Sequence, residues 1–264
     1  MLPLKEKKLF LLDMDGTIYL GNNIFDGTID FLNWVKQNNG KYMFLTNNSS
    51  KSVDKYIEKL EKMGVYATKD DFTTSAQATA IYLQKHNKND LIYVFGTQAL
   101  KDELTTYGLN ITDKLVNGIK CLVMGFDTEL TFQKLEDACI LLGKGVDYIA
   151  TNPDWVCPTE YGYVPDCGSV SEMLYNATKR KPKFIGKPEA TMIELAVEKS
   201  EFTKEQAILL GDRVYTDIAS GHNAGIDTML MLSGESTIDD LKDFDFKPTY
   251  IYNNIRELHT DLTK

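Results

Sequence analysis

An apolar run that ends in acid constrains this chain more than any other stretch of it: Leu9-Phe10-Leu11-Leu12 is followed at once by Asp13-Met14-Asp15-Gly16-Thr17. A short continuous apolar run of this kind reads as a strand buried on both faces of a parallel sheet. Ligands of such sheets bind beyond the carboxyl ends of the strands, so the two carboxylates stand where chemistry is done. Three readings of the pair compete. Asp-Gly-Thr serves as ordinary turn chemistry, Gly accepting φ > 0 and Asp bonding its own backbone. An EF-hand calcium loop fails, because the places that need Gly and Glu hold Ile18 and Ile24. A carboxylate nucleophile assisted by a hard divalent cation is the third reading, and it requires partners elsewhere in the chain.

Composition narrows the partners. With 264 residues and 43% hydrophobic content, the chain can bury one large core or two small ones. A formal net charge of −9 disfavours nucleic acid and anionic membranes, both of which want a basic surface. An acidic protein that handles phosphate must therefore gather its positive charge locally. The lysines ahead of Leu9 imitate the start of a secretory signal, but Asp13 and Asp15 cut its apolar part short. No stretch approaches the ~20 apolar residues of a membrane span. The four cysteines, Cys121, Cys139, Cys157 and Cys167, show no C-x-x-C spacing, and His86, His222 and His259 lie far apart, so zinc is not expected. Cys157 and Cys167 flank one loop and could pair under oxidation; reduced thiols in a soluble, cytoplasmic protein are the expectation.

Periodicity gives the organisation. The first third alternates a strand at Lys8 to Leu12, a helix from Thr28 to Gln37, a strand at Tyr42 to Leu45 and a helix from about Ser52 to Met63. The last third repeats the scheme: strand Phe184-Ile185, helix Glu189 to Lys199, strand Ala207 to Leu210, helix Asp217 to Asn223 and strand Thr228 to Leu232. Such βα alternation implies an α/β fold with a doubly wound, mostly parallel sheet. Between the two lies a stretch with its own alternation, predicted as strands at Leu91 to Phe95, Cys121 to Met124 and Tyr148 to Ala150 and helices at Gln98 to Thr106 and Phe132 to Leu142. It is long enough to be a domain. The expected division is a core of residues 1–86 plus 183–264, interrupted by an inserted domain of residues 87–182.

Each core strand ends in polar chemistry. Thr46-Asn47-Asn48-Ser49-Ser50 follows the second strand, where either helix capping by Ser49 or Ser50 or an anion site at a helix amino terminus accounts for it. Lys187 follows the third, as a solvated lysine or as the local positive charge that phosphate needs. No G-x-x-x-x-G-K-[ST] or G-x-G-x-x-G surrounds it. Gly211-Asp212-Arg213 and Asp217 follow the fourth. Acid, hydroxyl and lysine at four strand ends of one sheet point to an active site.

On these residues the chain resembles the haloacid dehalogenase (HAD) superfamily of phosphohydrolases, whose four motifs match Asp13 to Thr17, Thr46-Asn47, Lys187, and Gly211-Asp212 through Asp217. The insertion, with Ala150-Thr151-Asn152-Pro153-Asp154 and Cys167-Gly168-Ser169, resembles the C2-capped branch that includes the NagD-like and p-nitrophenyl phosphatases. The segment Ile18 to Asp26 is too short for the alternative cap found at that point in other branches.

The resemblance implies a Mg²⁺-dependent phosphomonoesterase of a small phosphorylated metabolite. Asp13 would attack phosphorus, and Asp15 would act as acid and then base. Asp13, Asp212 and the main-chain carbonyl of Asp15 would hold Mg²⁺; Thr46, Asn47 and Lys187 would hold the phosphoryl group. Asp217 would orient water ligands or Lys187. Many relatives have a second acid directly after the Gly-Asp pair, where this chain has Arg213. The cap is expected to roof the crevice and choose the ester through Asn152, Asp154, Asp166 and Ser169, with Trp155, Thr159, Glu160, Tyr161 and Tyr163 able to stack on a ring or bond hydroxyls. It can also carry a homodimer contact. A phosphotransferase or mutase sharing the phosphoenzyme, and a sensor that binds a phosphorylated ligand without turnover, are the rival readings.

Overall fold

A computed structural model describes residues 2–159 and 161–264. The chain forms two compact units: one comprises Met1–Thr46, Val53–Thr73 and Lys187–Lys264, the other Asn47–Ser52 and Thr74–Gly186. Residues 75–86, included in the expected core without an element assigned to them, form the helix Ser75–His86, which lies in the second unit and packs against Gln98–Thr106. A Thr74/Gln77 capping box starts it, and its apolar content shows little one-sidedness, so sequence alone does not say which neighbour it buries against.

The first unit is built on a six-stranded sheet in the order Tyr250–Tyr252, Asp227–Met231, Ala207–Gly211, Leu9–Leu12, Lys41–Thr46, Phe72–Thr74. Leu9–Leu12 runs parallel to both of its neighbours, and all four of its side chains are fully buried. Each such side chain contributes roughly 1.5–3 kcal/mol of transfer free energy, which is why this run becomes an interior strand. Leu12 is in register with Phe44 on one side and Leu210 on the other. That register brings Asp13, Thr46 and Asp212 out at one edge of the sheet. Helices Thr28–Gln37, Val53–Lys62 and Ile255–Leu262 bury Phe31, Leu32, Val35, Tyr56, Leu60 and Leu258 into the same core, where Phe10 meets Phe31 edge to face.

The second unit holds a five-stranded parallel sheet in the order Lys183–Phe184, Asp147–Ala150, Ile119–Met124, Leu91–Phe95, Ile111–Thr112. Tyr93, Phe95, Leu122 and Met124 face helices Phe132–Gly143 and Cys167–Thr178 in its core. A hairpin of Val156–Thr159 and Gly162–Pro165 projects from it.

One strand differs from expectation. The short run before Lys187 pairs Lys183 with Ile149 and Phe184 with Ala150, so it closes the second unit's sheet instead of entering the core sheet. Two apolar residues satisfy a strand pattern without saying which sheet supplies their hydrogen bonds. The backbone continues that pairing, Gly186 N donating to Thr151 O, before the chain enters the first unit at Lys187. The helix expected at Asp217 to Asn223 is a π turn at Val214–Ile218 continued by α-helix at Ala219–Ala224.

Candidate active site

Lys187 is the centre of the constellation in the first unit. Its ammonium donates to Asp13 Oδ1 at 2.5 Å and to Asp217 Oδ1 at 2.6 Å, and the lysine is only 3% exposed. One carboxylate oxygen each from Asp13, Asp212 and Asp217 lie within 4.8 Å of one another. Both oxygens of Asp217 are engaged, since its Oδ2 accepts Arg213 N at 3.1 Å. The π turn makes that possible by folding the chain back so that Asp217 N and Ile218 N both donate to Arg213 O.

Asp212 sits in a cradle of backbone. Its Oδ2 accepts Glu235 N at 2.8 Å, and its main-chain carbonyl accepts Ser236 N at 3.1 Å. A β-carbon at Gly16 or at Gly234 would collide with this carboxylate, and Gly16 also has φ +89°. Asp212 Oδ1, by contrast, is buried without a hydrogen-bond partner in the described structure. Burial first, and then repulsion from Asp217, push the Asp212 carboxyl up to about 7. Burial likewise raises Asp13 above the ordinary carboxylate range, with Lys187 opposing it. Burial works against the Lys187 ammonium, yet Asp13 and Asp217 outweigh it and hold it above its usual value.

Three carboxylates against one ammonium leave a deficit of two positive charges. An orphaned Asp212 oxygen beside an all-oxygen donor set fits a hard divalent cation, and Asp13 Oδ2, met among the described residues only by Thr17 Oγ1 at 3.5 Å, is the other weakly held oxygen of the cluster. Asp13 is 16% exposed on its side chain, against 1% for Asp217, so of these two carboxylates it is the one solvent reaches.

Asp15 stands apart from that cluster. Its side chain is 43% exposed, with Oδ2 3.7 Å from Lys59 Nζ and Oδ1 3.5 Å from Gly21 N. Thr46, buried, closes the strand Lys41–Thr46, and Asn47 begins the segment that belongs to the second unit. There Ser75 Oγ donates to Asn47 O at 2.6 Å, and Asn47 Nδ2 donates to Asp154 Oδ1 at 3.3 Å. Ser49 and Ser50 do not cap the helix that begins at Val53: Ser49 Oγ meets Thr151 Oγ1 and accepts Phe126 N, while Ser50 bonds Asn48 Oδ1. The helix is one residue shorter at each end than the expected Ser52 to Met63, and the two serines are spent in the second unit.

The second-unit loop divides into a frame and a surface. Asn152, Asp154 and Asp166 are buried; Asn152 Nδ2 donates to both acids, at 3.2 and 3.1 Å. Asp166 caps Cys167–Thr178, and Ser169 Oγ donates to Trp155 O. Their polar atoms are therefore turned on one another, as buried polar groups must be. Trp155, Tyr161 and Tyr163 are the exposed side chains, at 57%, 84% and 67%. Glu160 lies outside the described residues.

Sequence reasoning missed Lys59 and the Ser233 to Ser236 loop. Ser233 Oγ donates to Gly16 O at 2.8 Å, and Glu235 pairs with Arg213 at 2.8 Å. Neither carries a local motif; Lys59 looks like any lysine on the polar face of an amphipathic helix. Arg213 is thus neutralised by Glu235 from another loop and does not take up the role of an acid.

Residues 10–110 match a family model described as haloacid dehalogenase-like hydrolase, and residues 184–258 match an HAD-hydrolase-like model. An acid sugar phosphatase from Staphylococcus haemolyticus is 33% identical over 261 residues, covering 99% of this chain and 98% of that one. The crystal structure of a 4-nitrophenylphosphatase from Thermotoga maritima is similar at TM-score 0.91 and 40% identity, covering 97% of this chain and 98% of the other. A glycerol phosphate phosphatase from Mycobacterium tuberculosis, solved in complex with magnesium, is similar at TM-score 0.90 and 31% identity, covering 98% of this chain and 78% of that one.

Proposed function

The chain belongs to the haloacid dehalogenase-like hydrolases, and from that premise we propose that it hydrolyses small phosphate monoesters, sugar phosphates among them, through a phosphoenzyme on Asp13. The observation that carries the reading is the open carboxylate of Asp13 held by buried Lys187 beside the unpartnered oxygen of Asp212.

In the first step an Asp13 oxygen forms a bond to phosphorus as the ester P–O bond breaks, and the Asp15 carboxyl gives its proton to the leaving oxygen. An alkoxide leaves poorly, and positioned proton transfer is typically worth ~10²–10⁴-fold. In the second step Asp15 takes a proton from water as that water attacks phosphorus, and Asp13 is released as a carboxylate. Lys187, kept charged by Asp13 and Asp217, offsets the negative charge on the phosphoryl oxygens; Thr46 and Asn47 supply further donors. Mg²⁺ held by Asp13, Asp212 and the Asp15 carbonyl would lower the repulsion between the carboxylate and the phosphate. Asp217 keeps Lys187 in place. The second unit, residues 74–186 with 47–52, is assigned the choice of ester. The buried Asn152, Asp154 and Asp166 and the partly buried Ser169 shape its loop, and the exposed Trp155, Tyr161 and Tyr163 make the contacts.

The test is phosphate release from a panel of sugar phosphates, other metabolite monophosphates and p-nitrophenyl phosphate, with Mg²⁺ and with chelator, and with Asp13→Asn as blank. Metal-dependent release absent from the blank is the expected result. Release unchanged in the blank would remove Asp13 from its role, and none from any ester would turn the reading toward a binding protein.

A further inference from the structure

We propose that Lys59 positions Asp15: its ammonium, seated on the ring of Tyr19, holds the acid/base carboxylate in a fixed direction at the end of Leu9–Leu12. The inference rests on the reading of Asp15 as acid and base. Lys59 Nζ is 3.7 Å from Asp15 Oδ2 and 3.8 Å from the Tyr19 ring centroid.

Asp15 is weakly held by its own turn. Its carboxylate is 43% exposed, and the contact from Gly21 N, at 3.5 Å, is at the outer limit of a hydrogen bond. An exposed ion pair between two mobile side chains would fix nothing. Lys59 is not mobile in that sense. Its stem rises from helix Val53–Lys62 with 26% of the side chain exposed, and its ammonium lies on the face of a ring that is only 2% exposed. Tyr19 is in turn tied to the acid's own loop, through Gly16 N donating to Tyr19 O at 2.8 Å and the bridge between Asp15 and Tyr19. Acid, ring and lysine thus form a closed circuit of one backbone link, one cation–π contact and one ion pair.

The spacing suits a guide. At 3.7 Å the ammonium directs the carboxylate by charge without forming the short bond that Lys187 makes to Asp13 at 2.5 Å. Held among the described residues only by the long contacts from Lys59 Nζ and Gly21 N, Asp15 keeps lone pairs on its oxygens for proton traffic with the ester and the water. Lys59 acts only through Asp15 and is a positioning residue.

The experiment compares kcat/KM on glycerol phosphate, whose alkoxide needs a proton to leave, with that on p-nitrophenyl phosphate, whose nitrophenolate needs little help. The chains are wild type, Lys59→Met, Lys59→Arg, Asp15→Asn and the Lys59→Met/Asp15→Asn double variant. Lys59→Met is expected to lose on the order of 10-fold on glycerol phosphate and at most about 3-fold on p-nitrophenyl phosphate, a fraction of what the acid itself is worth. Lys59→Arg restores most of the loss, and the double variant is no slower than Asp15→Asn. Equal losses on both esters, no restoration by Arg, a further loss in the Asp15→Asn background, or a Lys59→Met chain as fast as wild type would each overturn the proposal alone. Wild-type chain that releases phosphate from neither ester would overturn it together with the phosphatase reading beneath it.

Discussion

At the scale of single residues, the constellation is governed by charge placed out of water. Lys187 can be buried because two carboxylates meet it at hydrogen-bond distance, and Asp217 can be buried because Lys187 and Arg213 N satisfy it. Asp212 keeps one oxygen unspent. Two outcomes follow from that asymmetry. Asp13→Asn should lower phosphate release by at least about 10³-fold, the loss typical of removing a nucleophile, while the far-ultraviolet circular dichroism stays as in wild type. Mg²⁺ should raise the thermal midpoint, by the equivalent of about 2.7 kcal/mol at a hundred times its dissociation constant, and Asp212→Asn should remove most of that rise. A midpoint indifferent to Mg²⁺ in wild type would contradict the cation assignment.

At the scale of elements, register does the assembling. Leu12 opposite both Phe44 and Leu210 fixes which residues emerge together, because a parallel ladder admits no slip without moving every buried leucine. The other end of the same sheet is held by a buried ion pair: Lys7 Nζ meets Asp227 Oδ2 at 2.5 Å and also donates to Glu205 O and Ala207 O. It ties the entry of Leu9–Leu12 to the starts of Ala207–Gly211 and Asp227–Met231. Lys7→Met leaves Asp227 buried with its charge uncompensated, at a cost of about 3–5 kcal/mol. Equilibrium urea unfolding measures it, and a change under about 1 kcal/mol would show the pair to be dispensable. That lysine had no signal in sequence, since its partner is more than two hundred residues away.

At the scale of the whole molecule, the chain carries two large, mostly parallel sheets, each with its own core, and no helix among the described residues is long and apolar enough to cross a membrane. The four thiols are free and report on that packing. Burial pushes Cys121 up to about 12 and Cys167 further still, while Cys139 and Cys157 are partly exposed. Ellman's reagent at pH 8 should therefore titrate two thiols in the native chain and four in denaturant; four in the native chain would deny the buried placement. The two buried thiols keep their protons past 9.0, the ordinary value at which unfolded thiols release them. The stability they contribute is complete below that pH and is lost as pH rises toward about 12, so the urea midpoint should fall on the alkaline side. Much was legible beforehand, and for a local reason. Asp13 and Thr46 follow an apolar run directly, Asp15, Lys187 and Asp212 come within a few residues of one, and Asp217 lies in the turn beyond, and burial of such a run depends on its own composition. The helices Thr28–Gln37 and Gln98–Thr106 begin and end where the sequence predicts, because turn residues or a capping threonine bound them. Partnership is a different matter, being settled by whatever the rest of the chain brings near. Only the tertiary structure sends Lys183–Phe184 to the second sheet, joins Ser75–His86 to the second unit, turns Asn152, Asp154 and Asp166 on one another, and lays Lys59 on Tyr19 beside Asp15.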